Sequence, residues 1–190
     1  MGLEDRFFPD DGSLLTRYDH FMIRSAGNVG KMYQELTGES YKDLVKDSSG
    51  VATLGFLSVG CTGNVVSFLF AGFPYENYIS PKFMTPLEEE MDQERRGFPK
   101  NGKKFARLFI SFFGLAMAHL GYSHLTEAKE FSFYTPIYAG YLLFGLSTLP
   151  WNFANYLSLA HLPKAPERTI FERAKDTLAD MVRMPEQVPI

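Results

Sequence analysis

The chain has 190 residues, which is enough for one domain, and its formal net charge is -3. That charge balance argues against nucleic acid as a partner, because nucleic-acid binding needs a basic face or stripe. The single cysteine, Cys61, excludes an internal disulfide framework. Aromatic side chains make up 15% of the residues, which is typical of a protein that meets a lipid interface.

Three long windows of the sequence are free of Asp, Glu, Lys and Arg: residues 48–75, 108–126 and 131–163. A helix that crosses a bilayer needs roughly 20 mostly apolar residues, and a charge at its centre costs on the order of 3 kcal/mol. The windows therefore predict an all-α integral membrane protein, one membrane domain over 1–190, with three transmembrane helices and peripheral amphipathic helices. A soluble helical domain with a large core is the alternative, since periodicity alone does not separate a buried helix from a membrane helix.

Residues 1–50 form a predicted N-terminal arm. Over Ser13–Thr37 apolar residues recur close to helical spacing, and Gly38 gives a stop signal. Gly27 and Gly30 argue against an uninterrupted helix. We expect this amphipathic element to lie on a membrane surface or against a partner protein.

The first transmembrane helix is predicted at about 51–73. Aromatic residues crowd its C-terminal end, as they do in the belt of a membrane interface. Small residues recur four positions apart at Gly63, Ser67 and Ala71. In lipid such a stripe lets another helix approach closely, so we expect it to contact a neighbouring subunit.

Residues 76–104 are predicted to form a polar loop that contains one short helix. The run Thr85-Pro86-Leu87-Glu88 has the pattern of a capping box with proline at the first helical position. An acidic cluster follows, and helix capping is its expected role, since the helix dipole favours acids in the first turn. The cluster consists of Glu88, Glu89, Glu90 and Asp92.

The second transmembrane helix is predicted at about 107–126. Gly114 and Ala118 repeat the small-residue spacing of the first span, and we expect a second packing stripe there. Basic side chains stand at the start of this helix, where their long stems can carry the charge to lipid headgroups. They are Lys103, Lys104 and Arg107.

The third transmembrane helix is predicted at about 136–157, within a window too long for one straight crossing. Pro150 is expected to kink this helix or to end its lipid-embedded part. Residues 164–190 are predicted as a C-terminal amphipathic helix with both signs of charge on its polar face. Membrane-surface helices are usually rich in Lys and Arg, so the mixed charge favours docking on another protein.

Two histidines, His119 and His124, lie in the run AHLGYSHLTE at 118–127. This run resembles the haem-bearing second span of the succinate dehydrogenase membrane anchors, three-span proteins that help to form a quinone site. The resemblance implies His119 as a ligand of a b-type haem, because a neutral imidazole brings no charge into lipid. The run departs from the family in its shorter histidine spacing and in Ser123, where the family has arginine. The alternative without a cofactor places both histidines at an interface, hydrogen-bonded to water, a headgroup or a neighbour.

The distribution of basic residues sets the expected topology. Residues 76–107 carry seven Lys or Arg and the C-terminal tail carries five, whereas 127–130 carry only Lys129. Three spans put loop 76–107 and the C-terminus on one side, and the positive-inside rule makes it the matrix, cytoplasmic or stromal side. The sequence has no N-glycosylation acceptor and no basic, then apolar, secretory leader. These features favour the mitochondrial inner membrane, with the thylakoid membrane as an alternative.

Spans without charge, flanked by amphipathic arms, predict a non-catalytic accessory subunit of a large membrane complex, a respiratory-chain complex or the ATP synthase. We expect no catalytic residue, metal or cofactor, and we expect other membrane subunits and bound lipid as partners. One alternative is an electron-transfer anchor with haem b at His119 and a quinone site. The other is a carrier or channel component, although transport paths usually contain charged residues within their spans.

Overall fold

A computed structural model describes residues 14–62, 64–98, 101–127, 134–166 and 169–183, the last four of them by backbone alone. These described residues form seven helices and no strand, so the predicted all-α class is confirmed for them. The helices are α1 (Leu14–Thr37), α2 (Tyr41–Cys61), α3 (Val66–Ile79), α4 (Pro86–Arg95), α5 (Gly102–Glu127), α6 (Thr135–Ser158) and α7 (Ile170–Arg183).

Helices α5 and α6 form an antiparallel hairpin with close backbone contact. A Cβ atom placed on Gly121 would lie 2.4 Å from the Leu142 backbone nitrogen. About two turns toward the start of α5, a Cβ on Gly114 would lie 1.9 Å from the Thr148 hydroxyl oxygen. Only glycine permits such approach, so this pair of helices is held at its distance by residues without side chains.

The predicted first span at 51–73 is wrong as a single helix, because the chain turns back between α2 and α3. The Thr62 N–H and hydroxyl both donate to the Val59 carbonyl, at 3.0 and 2.7 Å, and close the end of α2. Gly60 lacks a side chain, and a Cβ there would lie 2.7 Å from the Phe68 ring. The ring therefore folds down on α2, and α2 and α3 form a second helical hairpin.

The two hairpins lie side by side and point in the same direction. The tip of the α2–α3 hairpin lies near the start of α6, where a Cβ on Gly140 would lie 3.2 Å from the Thr62 hydroxyl. At the other end, Asn77 of α3 donates to the Asn155 side chain of α6 at 3.0 Å. The N-terminal arm and loop 76–107 therefore meet at the same end of the helices, which three successive spans would have placed on opposite sides.

The lengths and compositions of the helices show which of them could cross a membrane. Among the described residues, α5 is the one helix long and apolar enough to cross a membrane, by length and composition. Helix α6 matches the third predicted span in position and continues past Pro150 to Ser158, but it carries Asn152 and Asn155. Helix α3 has 14 residues and rises about 21 Å, short of the roughly 30 Å hydrocarbon core.

The core has two parts that join the hairpins. Near the tips, the buried Phe56 ring packs edge-on against Phe144 at 5.1 Å and Trp151 at 5.9 Å. At the other end, α1 lies across α2 and α6, with Ile23 and Leu157 in one buried cluster. Each part therefore draws residues from more than one hairpin, and the helices cannot separate without exposing aromatic surface.

Helix α1 runs without interruption through both of its central glycines. A Cβ on Gly30 would lie 2.6 Å from a Leu157 methyl carbon, and one on Gly27 would lie 3.1 Å from the Ala160 Cβ. The expectation of a break there is wrong, because these glycines give α1 close contact with the end of α6. Gly38, with φ of 76°, ends the helix in the left-handed conformation that favours glycine.

The peripheral helices have well-formed N-termini. Helix α4 begins with the predicted capping box, in which Thr85 and Glu88 bond to each other's backbone N–H. Helix α7 begins with an equivalent exchange between Thr169 and Glu172. The described side chains of α7 are exposed, Phe171 and Leu178 among them. Residues 1–13, Gly63 and 184–190 lie outside the described part of the chain.

Candidate functional site

A buried ion triad joins three helices at the charged end of the molecule. The Arg107 guanidinium of α5 donates from Nε and Nη2 to the two Asp19 carboxylate oxygens, at 3.1 and 2.8 Å. Its Nη1 donates to both oxygens of Glu89, at 2.8 and 2.9 Å. Charge-assisted bonds of this paired kind are the strongest hydrogen bonds in proteins, and they fix geometry as well as energy.

The local sequence places each member of the triad. Asp19 lies on the same face of α1 as Ile23 and the glycines that contact α6, so the fold carries it inward. Glu89 follows the capping residue Glu88 by one position and lies on the inner side of α4. Arg107 stands in the second turn of α5, where charged sequence gives way to the apolar window.

The triad is almost completely enclosed. Asp19 is 0% exposed, Glu89 6% and Arg107 7%. The guanidinium carbon of Arg107 also lies 5.7 Å from the centre of the Tyr156 ring, within the range of a cation–π contact. Two carboxylates and one guanidinium leave a formal charge of -1, and every oxygen of both carboxylates accepts a bond from Arg107.

Further ion pairs, from nearly buried to half exposed, lie next to the triad. Lys104 donates to Glu90 at 2.6 Å, and Asp92 accepts from Lys103 at 3.2 Å and Arg96 at 3.0 Å. Burial would raise the pKa of the Asp92 carboxyl, but its bonds and charge contacts with Lys103 and Arg96 hold it below the ordinary value. The basic residues at the start of α5 therefore bind carboxylates of α4, and their expected contact with lipid headgroups is not what the structure has.

The four acids of α4 have two different roles, although the sequence predicted helix capping for all of them. Glu88 caps the helix, as predicted. Glu89, Glu90 and Asp92 instead pair with α5, through Arg107, Lys104 and Lys103. Helix α4 is therefore fastened to the start of α5 along its length, and capping accounts for one acid of the four.

Two cavities lie in this part of the molecule, and the triad residues Glu89 and Arg107 line the first of them. One, of about 310 Å³, lies between α3, α4, α5 and α6, and is lined by paired charges and by the bonded amides Asn77 and Asn155. The other, of about 250 Å³, lies between α1, α5 and α6, and its polar lining residues are Tyr18, Ser25, Ser111, Asn152 and Tyr156. We call the second cavity the α1 groove. Tyr156 therefore contacts Arg107 with its ring and also lines the α1 groove.

The α1 groove contains polar atoms without partners. Among the described residues, neither the Asn152 side-chain oxygen nor the Tyr156 hydroxyl has a hydrogen-bond partner, and both are buried. Ser111 lines the groove beside Tyr156, its hydroxyl donates to the Arg107 carbonyl of its own helix at 2.9 Å, and no hydrogen bond of normal geometry joins it to the Tyr156 hydroxyl. Buried polar groups without a partner are uncommon, and a bound ligand or an ordered water explains them where they line a cavity.

The two histidines of the predicted haem run lie on the surface of α5. His119 is exposed and lines neither of the two cavities described above. His124 stacks on the Tyr138 ring of α6 with 4.2 Å between ring centres. Within the described residues no group of three or more His, Cys, Asp or Glu side chains could hold a metal ion. His119 as a haem ligand stays a prediction.

The predicted packing residues contact their own chain. Ser67 and Ala71 are buried, 0% and 3% exposed. Gly114 and Ala118 lie against α6, where a Cβ on Gly145 would lie 2.4 Å from the Gly114 carbonyl oxygen. Gly63 lies outside the described residues. Gly114 and Ala118 therefore bring α5 and α6 together within one hairpin, and many large apolar side chains lie on the outer surface of the bundle.

The triad escaped prediction because its members are far apart in the sequence. Asp19 and Arg107 are separated by 88 positions, and nothing in the local pattern of either links the two. A signal for Asp19 existed: it stands on the apolar face of an amphipathic helix, at helical spacing from Ile23, Ala26 and Gly30. An acid at such a position needs a buried partner.

Three comparisons with known proteins found no match to this chain. No protein-family model matches it, and neither the curated proteins nor the solved structures contain a match to it.

Proposed function

We propose that this chain is a non-catalytic accessory subunit of a large multi-subunit membrane complex, in the mitochondrial inner membrane. The respiratory-chain complexes and the ATP synthase are the complexes proposed. The observation that carries the proposal is the large apolar surface on the outside of both hairpins. On α5 alone, four large apolar side chains are at least half exposed: Phe109, Phe112, Leu115 and Tyr122.

This surface is too large to face water. The apolar window of α5 is 22% buried within the chain, so most of the helix needs another covering. Helices α3 and α6 add exposed leucines, of which Leu69 at 74% is the most open. Contiguous apolar patches of this extent belong to lipid-facing or subunit-facing surfaces, since monomeric soluble proteins rarely have them.

The proposed arrangement in the bilayer revises the three predicted spans. Helices α5 and α6 cross the membrane, and the α2–α3 hairpin enters beside them from the side of loop 76–107. The length of α3 supports this arrangement, since about 21 Å does not cross the hydrocarbon core. Helices α1 and α4 then lie at the membrane surface, joined to the start of α5 by the ion triad.

The positions of the basic residues support one orientation for this arrangement. Apart from Lys129, every Lys and Arg lies in 1–46, 82–107 or 164–183, all of which lead to or from the charged end of the helices. The positive-inside rule places such an end in the matrix. Loop 76–107 and the C-terminus keep their proposed matrix location, and the N-terminal arm joins them there.

A structural role fits the chemistry of the charged end. Arg107 satisfies both acids of the triad, and the surrounding lysines are paired as well. Such a network fixes helices in position and presents no free nucleophile or base. The segment that leads into α7 lies beside Gly38 at the end of α1, where a Cβ would be 3.1 Å from a Thr169 methyl carbon. The described side chains of α7 are exposed, which suits a contact with a neighbouring subunit.

The test is extraction of the native protein from its membrane in mild detergent, followed by a native gel and mass spectrometry of the comigrating proteins. We expect the chain to run with a large assembly and with subunits of an energy-converting complex. A chain that runs alone, or as a small oligomer, contradicts the proposal. Haem absorbance in the isolated protein would instead support the electron-transfer anchor.

A further inference from the structure

The α1 groove has the shape of a site for one end of an amphiphile. Its volume of about 250 Å³ falls below the roughly 300–1,000 Å³ of pockets that enclose a whole small molecule. Its walls are apolar and include exposed side chains, so one side opens on the outer surface of the bundle. The apolar lining comes from Met22, Val29, Leu115, Leu149 and Phe153. A ligand can therefore place its head inside while its chain continues along the bundle.

The polar part of the groove specifies the head of that ligand. Asn152 is 6% exposed and Tyr156 0%, and both stand one turn apart on the same face of α6. The Asn152 side-chain oxygen can accept one hydrogen bond, and the Tyr156 hydroxyl can donate one. Neither has a partner among the described residues. One hydroxyl group, which donates once and accepts once, satisfies both atoms.

The lining of the α1 groove selects against a charged head. Its lining residues include no Asp, Glu, Lys or Arg, so the groove provides no counter-ion for a phosphate, a carboxylate or a cationic group. Burial of a charge without a partner is costly. An uncharged head is what remains compatible with the site.

We propose that the α1 groove binds an uncharged membrane lipid whose head carries a free hydroxyl. The hydroxyl donates to Asn152 and accepts from Tyr156, and the apolar body lies between Leu115 and Leu149 toward the hydrocarbon core. The inference rests on the proposed membrane location of α5 and α6, and it goes beyond that location in naming a site and a lipid chemistry. A sterol and a diacylglycerol share this chemistry.

The experiment uses the full-length protein in phosphatidylcholine nanodiscs with photoactivatable lipids. The probes are a sterol, a diacylglycerol, the methyl ether of the sterol and a fatty acid, and mass spectrometry maps the crosslinked peptides. We expect the sterol or the diacylglycerol to label peptides of α5 and α6 at the groove. Which of the two labels identifies the source. The capped ether and the fatty acid should label these peptides several-fold less.

Two variants remove the hydroxyl partners and one control leaves them. Asn152→Leu keeps the branched shape of the side chain, and Tyr156→Phe keeps the ring that faces Arg107. Each should lower labelling by roughly threefold to tenfold, the range for loss of one hydrogen bond. Ser147→Ala, a buried change elsewhere on α6, should leave labelling unchanged.

Several outcomes would overturn the site. They are absence of labelling by both hydroxyl lipids, labelling by the capped ether as strong as that by the sterol, and labelling in both variants as strong as in the wild type. Carbonate washing of membranes that carry the same protein reports insertion separately. A chain that stays in the membrane without site-dependent labelling contradicts the lipid site alone. A chain that carbonate releases contradicts the proposed membrane location and, with it, the lipid assigned to the groove.

Discussion

Arg107 holds Asp19 by two parallel hydrogen bonds, of 2.8 and 3.1 Å, across 88 residues of sequence. This contact brings the N-terminal helix α1 to the start of α5, where loop 76–107 also ends. Glu89 accepts two hydrogen bonds from Nη1 of the same guanidinium and so joins α4 to the contact. Helices α1 and α4 therefore form one fixed layer at the charged end of the two hairpins.

The triad should be the most sensitive charged site in the molecule. Arg107→Met leaves Asp19 and Glu89 buried without a partner, and removal of one member of a buried ion pair costs about 3–5 kcal/mol. We expect the free energy of unfolding in detergent micelles to fall by that amount. Lys103→Met removes a partly exposed pair with Asp92 and should cost about 1 kcal/mol or less.

Replacement of the whole triad separates charge from packing. The triple variant Asp19→Leu, Glu89→Leu and Arg107→Met contains no buried charge, so it should recover most of the stability that Arg107→Met loses. If the single and triple variants have the same free energy of unfolding, the loss of stability comes from the lost packing of Arg107. The explanation by carboxylates left buried without a partner is then wrong.

The contact between α5 and α6 predicts opposite effects for two glycines. A Cβ on Gly145 would lie 2.5 Å from the Ala118 backbone nitrogen, so Gly145→Ala should force the helices apart and cost about 1–3 kcal/mol. At Gly72 of α3 nothing lies within 4 Å of the added Cβ. Gly72→Ala should be neutral, or stabilise by up to about 1 kcal/mol through helix propensity.

Unfolding of both glycine variants in the same detergent provides the comparison. Equal effects of Gly145→Ala and Gly72→Ala would contradict the close approach of α5 and α6. A loss confined to Gly145→Ala would support the hairpin as described.

The capping box predicts how α4 responds to acid. The Thr85 backbone N–H and then the Thr85 hydroxyl hold the pKa of the Glu88 carboxyl below its ordinary value. A group whose pKa is lower in the folded state stabilises that state above its unfolded pKa. The contribution is lost as the pH falls through the folded value. Acidification from neutral pH should therefore loosen the first turn of α4.

NMR titration of the backbone amides of α4 measures this effect. The Glu88 amide should follow the titration of its own carboxyl with a midpoint below the ordinary Glu range. Glu88→Gln keeps a side-chain oxygen that can bond to Thr85 and removes the charge, so this response should vanish. A midpoint within the ordinary range in the wild type would show that the capping box is not formed.

The fold at the charged end predicts the sidedness of α1. Single cysteines at Arg24, Lys82 and Glu127, each exposed, can be placed in a Cys61→Ser background. We expect a membrane-impermeant maleimide to modify Arg24→Cys and Lys82→Cys from the same side and Glu127→Cys from the other. Three successive spans would instead group Arg24→Cys with Glu127→Cys, and that result would refute the α2–α3 hairpin.

The sequence predicts the elements that local chemistry determines. The Thr85 capping box, the stop at Gly38 and the apolar window of α5 each follow from residue type and spacing, and the structure has them. Helix α6 is likewise found where the window around 136–157 places it. These features need no knowledge of any contact distant in the sequence.

The features that escaped prediction depend on such distant contacts. Thr62 ends α2 in the middle of an apolar window, and hydropathy gives no sign of a turn between two helices that pack on each other. Arg107 and Glu89 resemble ordinary flanking charges until α1 supplies Asp19. Asn152 and Tyr156 become a site only when three helices enclose them.

We propose that this chain holds an assembly together without taking part in its chemistry. Removal of the chain tests this role when two quantities are measured, the amount of the assembled complex and the turnover of each complex that remains. We predict that the amount falls while turnover per complex stays at the wild-type value. A full amount of assembled complex with reduced turnover would show that the chain contributes to the reaction, and it would refute the proposed structural role.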